Sequence, residues 1–123
     1  MNIRIGTLKK EILYLFNIHI EEDFPILIGK LNIEHIKNEH LIDYQKYGKY
    51  LPEILAKPTY VAKHPNKSSI EYIKEYVLYK ELVLVAVRIT KNKIAFVKTM
   101  FIMSEEKKNK YKKGGYLKKV IEK

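Results

Sequence analysis

The chain contains no cysteine. That absence removes disulfide frameworks, thiol nucleophiles and cysteine-based zinc sites together, and it leaves the redox compartment undetermined. Long hydrophobic runs are missing too: the longest, LVLVAV at residues 82–87, is too short to span a bilayer. Near the N-terminus Lys9 and Lys10 precede EILYLFNI, but Glu11 interrupts the stretch and no small-residue cleavage site follows, so it makes a poor signal peptide. Internal repeats are absent. The expectation is a soluble single domain over residues 1–123, a length sufficient for one hydrophobic core.

What the chain has in excess is positive charge. Its 24 Lys+Arg against 14 Asp+Glu give a formal charge of +10. Residues 104–123 alone carry eight lysines and three glutamates, so this basic C-terminal segment supplies half of that charge. Such a segment attracts polyanions, although a merely solubilising surface would have the same composition. Ten tyrosines suit base stacking and core packing equally and do not discriminate.

Helical patterns come first along the chain and strand patterns later, the order of an α+β fold. Thr7 is placed to cap a helix in which Leu8, Ile12, Leu15 and Phe16 recur at helical spacing. FPILI (24–28) reads as a short strand, with Pro25 confined to an edge or a strand start. Asn32 is placed to cap a helix with Ile33, Ile36 and His40 along one stripe, and a short helical piece around YLPEIL ends before Pro58. Strands follow at about 59–63, 69–77, 82–90 and 93–103.

Alternation in the third of these strands sets Val83, Val85, Val87 and Ile89 on one face and Leu82, Leu84, Ala86, Arg88 and Thr90 on the other. The all-branched face should lie under the helices. A two- or four-residue hairpin loop at TKNK pairs Arg88 with Ala95 and Leu84 with Thr99, and a turn at Tyr79 and Lys80 sets Glu71 across from Arg88. A three-residue loop would break this register. The expected result is Glu71, Arg88 and Thr99 together on the sheet face turned away from the helices. An arginine can stabilise charge on a phosphate, a carboxylate can take a proton, and a hydroxyl can bond a phosphate oxygen. An exposed cross-strand ion pair, contributing about 0.2–1 kcal/mol, is the plainer reading of the same residues.

The segments IEHIKNEH (33–40), YGKYLPEILAKPTYV, SIEYIKEY, VLVAVRITKNKIAFVKTMFIMS and KYKKGGYLKKV together resemble the phage-associated Barnase-EndoU-Colicin-RelE-like (PBECR) nuclease domains over about residues 24–120. The resemblance lies in their order: HI-x3-H, then P-x-Y, a strand ending in arginine, and a strand carrying threonine. It implies a ribonuclease-like domain with helices on one face of an antiparallel sheet of about four strands, and metal-independent cleavage of RNA, tRNA included, with no cofactor. It further implies action in the cytoplasm of a host or target cell and an acidic immunity protein or antitoxin as partner. His35 and His40 match the histidine motif, Arg88 the strand arginine and Thr99 the later hydroxyl. Asn38-Glu39 stand where the pattern commonly has a basic residue.

Five residues on a helix turn the chain by about 140°, so both histidines cannot easily address one phosphate. His35, near the helix N-terminus, suits a general base; His40, near the other end, suits an acid or a phosphate clamp. His40 also shares the stripe of Ile33 and Ile36, where a core histidine would sit. A zinc pair is disfavoured by the i, i+5 spacing. His19 and His64, beside expected loops, read as surface residues. The mechanism these residues suggest has His35 or Glu71 activating a 2′-hydroxyl, Arg88 stabilising the pentacoordinate phosphate, Thr99 positioning an oxygen and His40 protonating the leaving group. Lys107, Lys108, Lys110, Lys112 and Lys113 would hold the nucleic-acid backbone. The alternative is a nucleic-acid-binding or virion-associated structural module with the same fold and no turnover.

Overall fold

A computed structural model describes residues 2–63 and 69–120. One sheet of seven strands organises the chain, in the order β1-β2-β6-β5-β4-β3-β7. The strands are β1 (Asn2–Leu8), β2 (Phe24–Gly29), β3 (Tyr60–Lys63), β4 (Ser69–Tyr76), β5 (Glu81–Ile89), β6 (Ala95–Ile102) and β7 (Lys118–Lys119). The helices are α1 (Lys10–Tyr14), α2 (Lys30–Tyr47), α3 (Leu51–Ala56) and α4 (Glu105–Gly114). The fold is α+β as expected, but the sheet is larger than about four strands, and it is mixed, because β2 runs parallel to β6 through Ile26–Ala95 and Leu27–Phe96.

The N-terminal segment departs from the helix expected after Thr7. Residues 2–8 form an edge strand antiparallel to β2, in which Thr7 pairs with Pro25 and its hydroxyl accepts a 2.9 Å bond from the Arg4 guanidinium. The helical periodicity belongs only to the single short α1, whose first backbone N–H is satisfied by the Asp23 carboxylate at 2.9 Å. Pro25 sits near the start of β2, where a missing donor costs no ladder bond to the interior. Asn32 is not the cap of α2: it lies inside the first turn, where its side-chain oxygen accepts from the Gly29 N–H at 2.8 Å.

The two faces of β5 separate as the alternation predicts. Val83, Val85 and Val87 join Ile26, Ile36, Tyr47, Ile54 and Tyr72 in one core under α2 and α3. Leu82, Leu84 and Ala86 join Ala62, Ile73, Met103 and Tyr111 in a second core. That second core corrects the expectation that helices cover one face alone, because α4 packs on the other. Residues 105–114 therefore form a docked helix rather than a solvated tail, anchored by the buried Tyr111 and Met103 at about 1.5–3 kcal/mol for each large apolar group removed from water. Its ends carry ordinary signals. The Ser104 hydroxyl accepts from the Lys107 N–H at 3.1 Å, Glu105 and Glu106 stand in the first turn, Lys112 and Lys113 in the last, and Gly115 closes it at φ 67°.

β2 covers only the beginning of β6, which leaves the later part of that strand for α2 to cover. The helix bends at His40, whose φ of −142° and ψ of 51° leave the helical region. Beyond the bend, Asp43 accepts a 2.9 Å bond from the Ile102 N–H, so a side chain takes the place of a neighbouring strand. The far end of α2 is tied to β5 through Glu81, which accepts from Lys46 and Tyr47, each at 2.6 Å. The Lys46 ammonium, followed by the Tyr47 hydroxyl, holds the Glu81 carboxyl below the usual carboxylate range.

Candidate active site

Two hairpin irregularities decide which side chains meet on the α4 face. The loop between β5 and β6 is not the two- or four-residue turn expected: the Thr90 N–H and hydroxyl both donate to the Ile94 carbonyl around residues 91–93, with Lys93 in the left-handed region at φ 61°. Arg88 consequently pairs with Phe96 rather than Ala95. A one-residue shift alone would send Thr99 to the opposite face. A β-bulge at Lys98 cancels it, so that Val87 pairs with Val97 but Ala86 pairs with Thr99. Thr99 thus keeps its expected face, opposite Ala86 instead of Leu84. Between β4 and β5 the loop spans residues 77–80 with Lys80 left-handed at φ 53°, so Tyr76 pairs with Glu81. That two-residue shift preserves the face and sets Glu71 across from Ala86, and Ser69 across from Arg88.

The outcome is a row, Glu71–Ala86–Thr99, running across three strands, with Arg88 in the next row between Ser69 and Phe96. The expected trio shares one face, but Arg88 does not stand opposite Glu71. The row floors a cleft of about 170 Å³ lined by Ser69, Glu71, Ala86, Lys98, Thr99, Phe101 and Lys107. Ala86 at its centre is small, which keeps the space open. The face is not bare sheet, because α4 forms part of its wall.

Glu71 is 5% exposed and accepts a 2.6 Å hydrogen bond from the Tyr111 hydroxyl of α4. Burial, and after it the bond to Glu71, raises the Tyr111 phenol well above its ordinary value, so it remains a donor. A buried carboxylate oriented by one fixed O–H is a chemically reasonable proton acceptor. The Thr99 hydroxyl is buried without a hydrogen-bond partner among the described residues. Such an atom costs about 1–3 kcal/mol.

The histidines separate clearly. His40, at the bend of α2, lies half-buried with its ring 5.1 Å from that of Phe101 and tilted by 37°. His40 does not line the cleft itself; it stands beside the cleft residue Phe101, on a helix bonded to the β6 edge through Asp43. His35 is exposed and is not among the cleft residues. His19 is exposed, with its ring edge-on to Tyr14 at 4.4 Å, and His64 lies outside the described residues. Arg88 is exposed. Among the basic residues of α4, Lys107 lines the cleft, Lys108 pairs with Glu105 at 2.8 Å, and Lys110, Lys112 and Lys113 face solvent.

Three residues of this site carry no motif in the sequence. Lys98 enters only through the bulge, since strict alternation from Thr99 would turn it to the other face. Tyr111 and Lys107 enter only because α4 docks. The capping serine, the acidic first turn and the two glycines after YKK signal that helix, but not where it packs.

Among the described residues no group of three His, Asp or Glu side chains is placed to hold a metal ion, and no helix is long and apolar enough to cross a membrane. A family model described as phage-Barnase-EndoU-ColicinE5/D-RelE like nuclease3 matches residues 3–110, which span β1 through the first half of α4. No curated protein and no solved structure matches the chain.

Proposed function

Because the chain belongs to the phage Barnase-EndoU-ColicinE5/D-RelE-like nuclease 3 family, we propose that it is a metal-independent endoribonuclease that cuts RNA by 2′-hydroxyl attack. The observation that carries this reading is the row at the cleft in which an oriented carboxylate, Glu71, and Thr99, whose buried hydroxyl has no partner among the described residues, stand on either side of a small residue, Ala86. Glu71 accepts the 2′-hydroxyl proton, the 2′-oxygen bonds to phosphorus, and the P–O5′ bond breaks. His40 delivers a proton to the departing 5′-oxygen. The products are a 2′,3′-cyclic phosphate and a 5′-hydroxyl, so atoms and charge balance. Arg88, exposed one row along the same face and outside the lining of the cleft, addresses phosphate charge.

Glu71 is preferred to His35 as the base because it is buried at the cleft and His35 is not. The exposed lysines of α4 supply sequence-independent attraction to the RNA backbone. The net charge of +10 equally suits an acidic immunity protein or antitoxin, and tRNA is a substrate to test first. The site of action would then be the cytoplasm of a host or target cell.

The test is incubation with total RNA and with a tRNA pool in excess EDTA. Discrete cleavage products are expected, and Arg88→Ala, at an exposed position, should remain folded while slowing their formation roughly 100-fold. If neither pool is cut but both are bound, and Arg88→Ala weakens only that binding, the chain is a binding module.

A further inference from the structure

The turn between β4 and β5 has an unusual composition. Glycine, asparagine, aspartate and serine dominate such loops because they take left-handed backbone or bond to it locally. Residues 77–80 read Val-Leu-Tyr-Lys instead, and Lys80 itself takes the left-handed conformation at φ 53°. Val77 is 74% exposed, Leu78 93% and Tyr79 62%, and none of the three joins either core. A run of exposed apolar side chains at a loop tip adds nothing to the stability of the domain that carries it, and marks a contact surface.

The surroundings of Tyr79 show which chemistry that surface suits. The end of α2 runs on as Lys46-Tyr47-Gly48-Lys49-Tyr50, and each lysine ammonium lies over the ring of the tyrosine that follows it, 5.3 Å from the ring centre for Lys46 and 5.2 Å for Lys49. Lys46 also lies 4.5 Å from the centre of the Tyr79 ring. The inner rings are fixed: those of Tyr47 and Tyr76 stand 4.8 Å apart, and their hydroxyls donate to Glu81 at 2.6 Å and to Glu53 at 3.1 Å. Tyr50, 37% exposed, packs 5.9 Å from Tyr76. Tyr79 and Tyr50 thus offer ring surface to solvent with an ammonium beside each. Lys46 shares its charge with Glu81, whereas Lys49 forms no ion pair among the described residues.

We infer that Tyr79, Tyr50, Lys46 and Lys49 form a stacking platform for single-stranded RNA, separate from the cleft; the identity of the strand rests on the nuclease reading. Exposed rings take the faces of unpaired bases whatever their sequence, and interleaved lysines take the phosphates. Continuity with the cleft favours RNA over a lipid surface. The Lys108 ammonium donates to the Lys80 carbonyl at 3.3 Å, so the turn touches α4, and the adjacent Lys107 lines the cleft. Along β5 the five residues from Ala86 to Glu81 cover about 17 Å. That is the length of about five stacked nucleotides, so a dinucleotide at the cleft falls short of the tip and a longer strand reaches it.

The probe is a 2′-O-methyl RNA of about 12 nucleotides, within the span such platforms cover. It lacks the nucleophile and reports binding alone, read by the anisotropy of a label at its end. Tyr79→Ala should weaken binding about 10-fold and, at an exposed position, leave the melting temperature unchanged, whereas Tyr79→Phe should keep the affinity because it keeps the ring. Lys49→Gln should lower the slope of affinity against salt by about one. The same strand annealed to its complement should not respond to Tyr79→Ala, since paired bases hide their faces. Absence of binding, single-strand affinity unaltered in Tyr79→Ala, or an equal loss for the duplex would overturn the platform. Unaltered RNA affinity together with binding to phosphatidylserine vesicles that Leu78→Asp abolishes would assign the tip to a lipid surface instead. In turnover, Tyr79→Ala should raise KM about 10-fold, with the rise confined to strands long enough to reach the tip. Tyr79-dependent binding by a protein that cuts no RNA keeps the platform and removes the nuclease reading. Cleavage of long strands with a KM indifferent to Tyr79 does the reverse.

Discussion

Glu71→Gln should lower kcat by roughly 100- to 10,000-fold, the range contributed by a positioned general base. The substitution is nearly isosteric, and the amide oxygen can accept the Tyr111 O–H that the carboxylate accepts at 2.6 Å. The packing of α4 on β4 should therefore survive, and the melting temperature should stay at or above that of the wild type, because a buried charge has been removed. Tyr111→Phe is the complement. It keeps the buried ring and leaves the carboxylate without its donor, so it should cost less rate than Glu71→Gln and more stability. If Glu71→Gln cleaves at the wild-type rate, the Glu71–Tyr111 bond only fastens a helix, and the proton must go elsewhere. Parallel measurement of kcat and thermal unfolding for the two variants decides between these outcomes.

His40→Phe should reduce cleavage of RNA about 100-fold while preserving the fold. The phenyl ring can occupy the place of the imidazole against Phe101, 5.1 Å away, but it carries no proton. The defect should disappear on a nucleoside 3′-phosphodiester with a nitrophenolate leaving group, which departs without protonation. That selective rescue is what separates an acid from a packing residue, since a damaged fold would slow both substrates alike. His35→Ala, at an exposed position, should change neither rate. A large loss with His35→Ala and none with His40→Phe would reverse the assignment and return His40 to a core role.

How much of this was legible beforehand differs from element to element, for physical reasons. The faces of β5 could be read because both are buried and a period of two leaves no freedom: Val83, Val85 and Val87 fall in one core, Leu82, Leu84 and Ala86 in the other. The shared face of Glu71, Arg88 and Thr99 was legible, but their pairing was not. Lys93 and Lys80 adopt left-handed backbone with no glycine to announce it, and the bulge at Lys98 is fixed by both cores demanding their own side chains. β1 was hidden because Leu8, Ile12 and Phe16 imitate a helix, while the pairing of residues 2–8 depends on β2 being close by. The docking of α4 was obscured by charge. Its many lysines suggest a solvated segment, yet Tyr111 is buried against Glu71, 40 residues earlier in the chain.

His40 illustrates the same division. From the sequence it shares a stripe with Ile33 and Ile36, and a histidine on helices that cover the Val83, Val85 and Val87 face reaches Arg88 only around an edge or end of the sheet. The helix bends at His40, and beyond the bend Asp43 bonds to the open edge of β6. No local pattern in HIKNEH announces that bend. Nor does any announce that β2 pairs with only the first residues of β6, which leaves that edge open to Asp43.

In the proposed mechanism the RNA's own 2′-hydroxyl is the nucleophile and Glu71 receives its proton. The most direct measurement compares two otherwise identical RNA oligonucleotides in excess EDTA, one all-ribose and one with a single 2′-deoxy residue at the nucleotide 5′ to the cut. The all-ribose strand should be cleaved to a 2′,3′-cyclic phosphate and a 5′-hydroxyl, and the deoxy strand should survive at that position. Cleavage of the deoxy strand at the same bond, or cleavage of the ribose strand only after a divalent ion is restored, would contradict it.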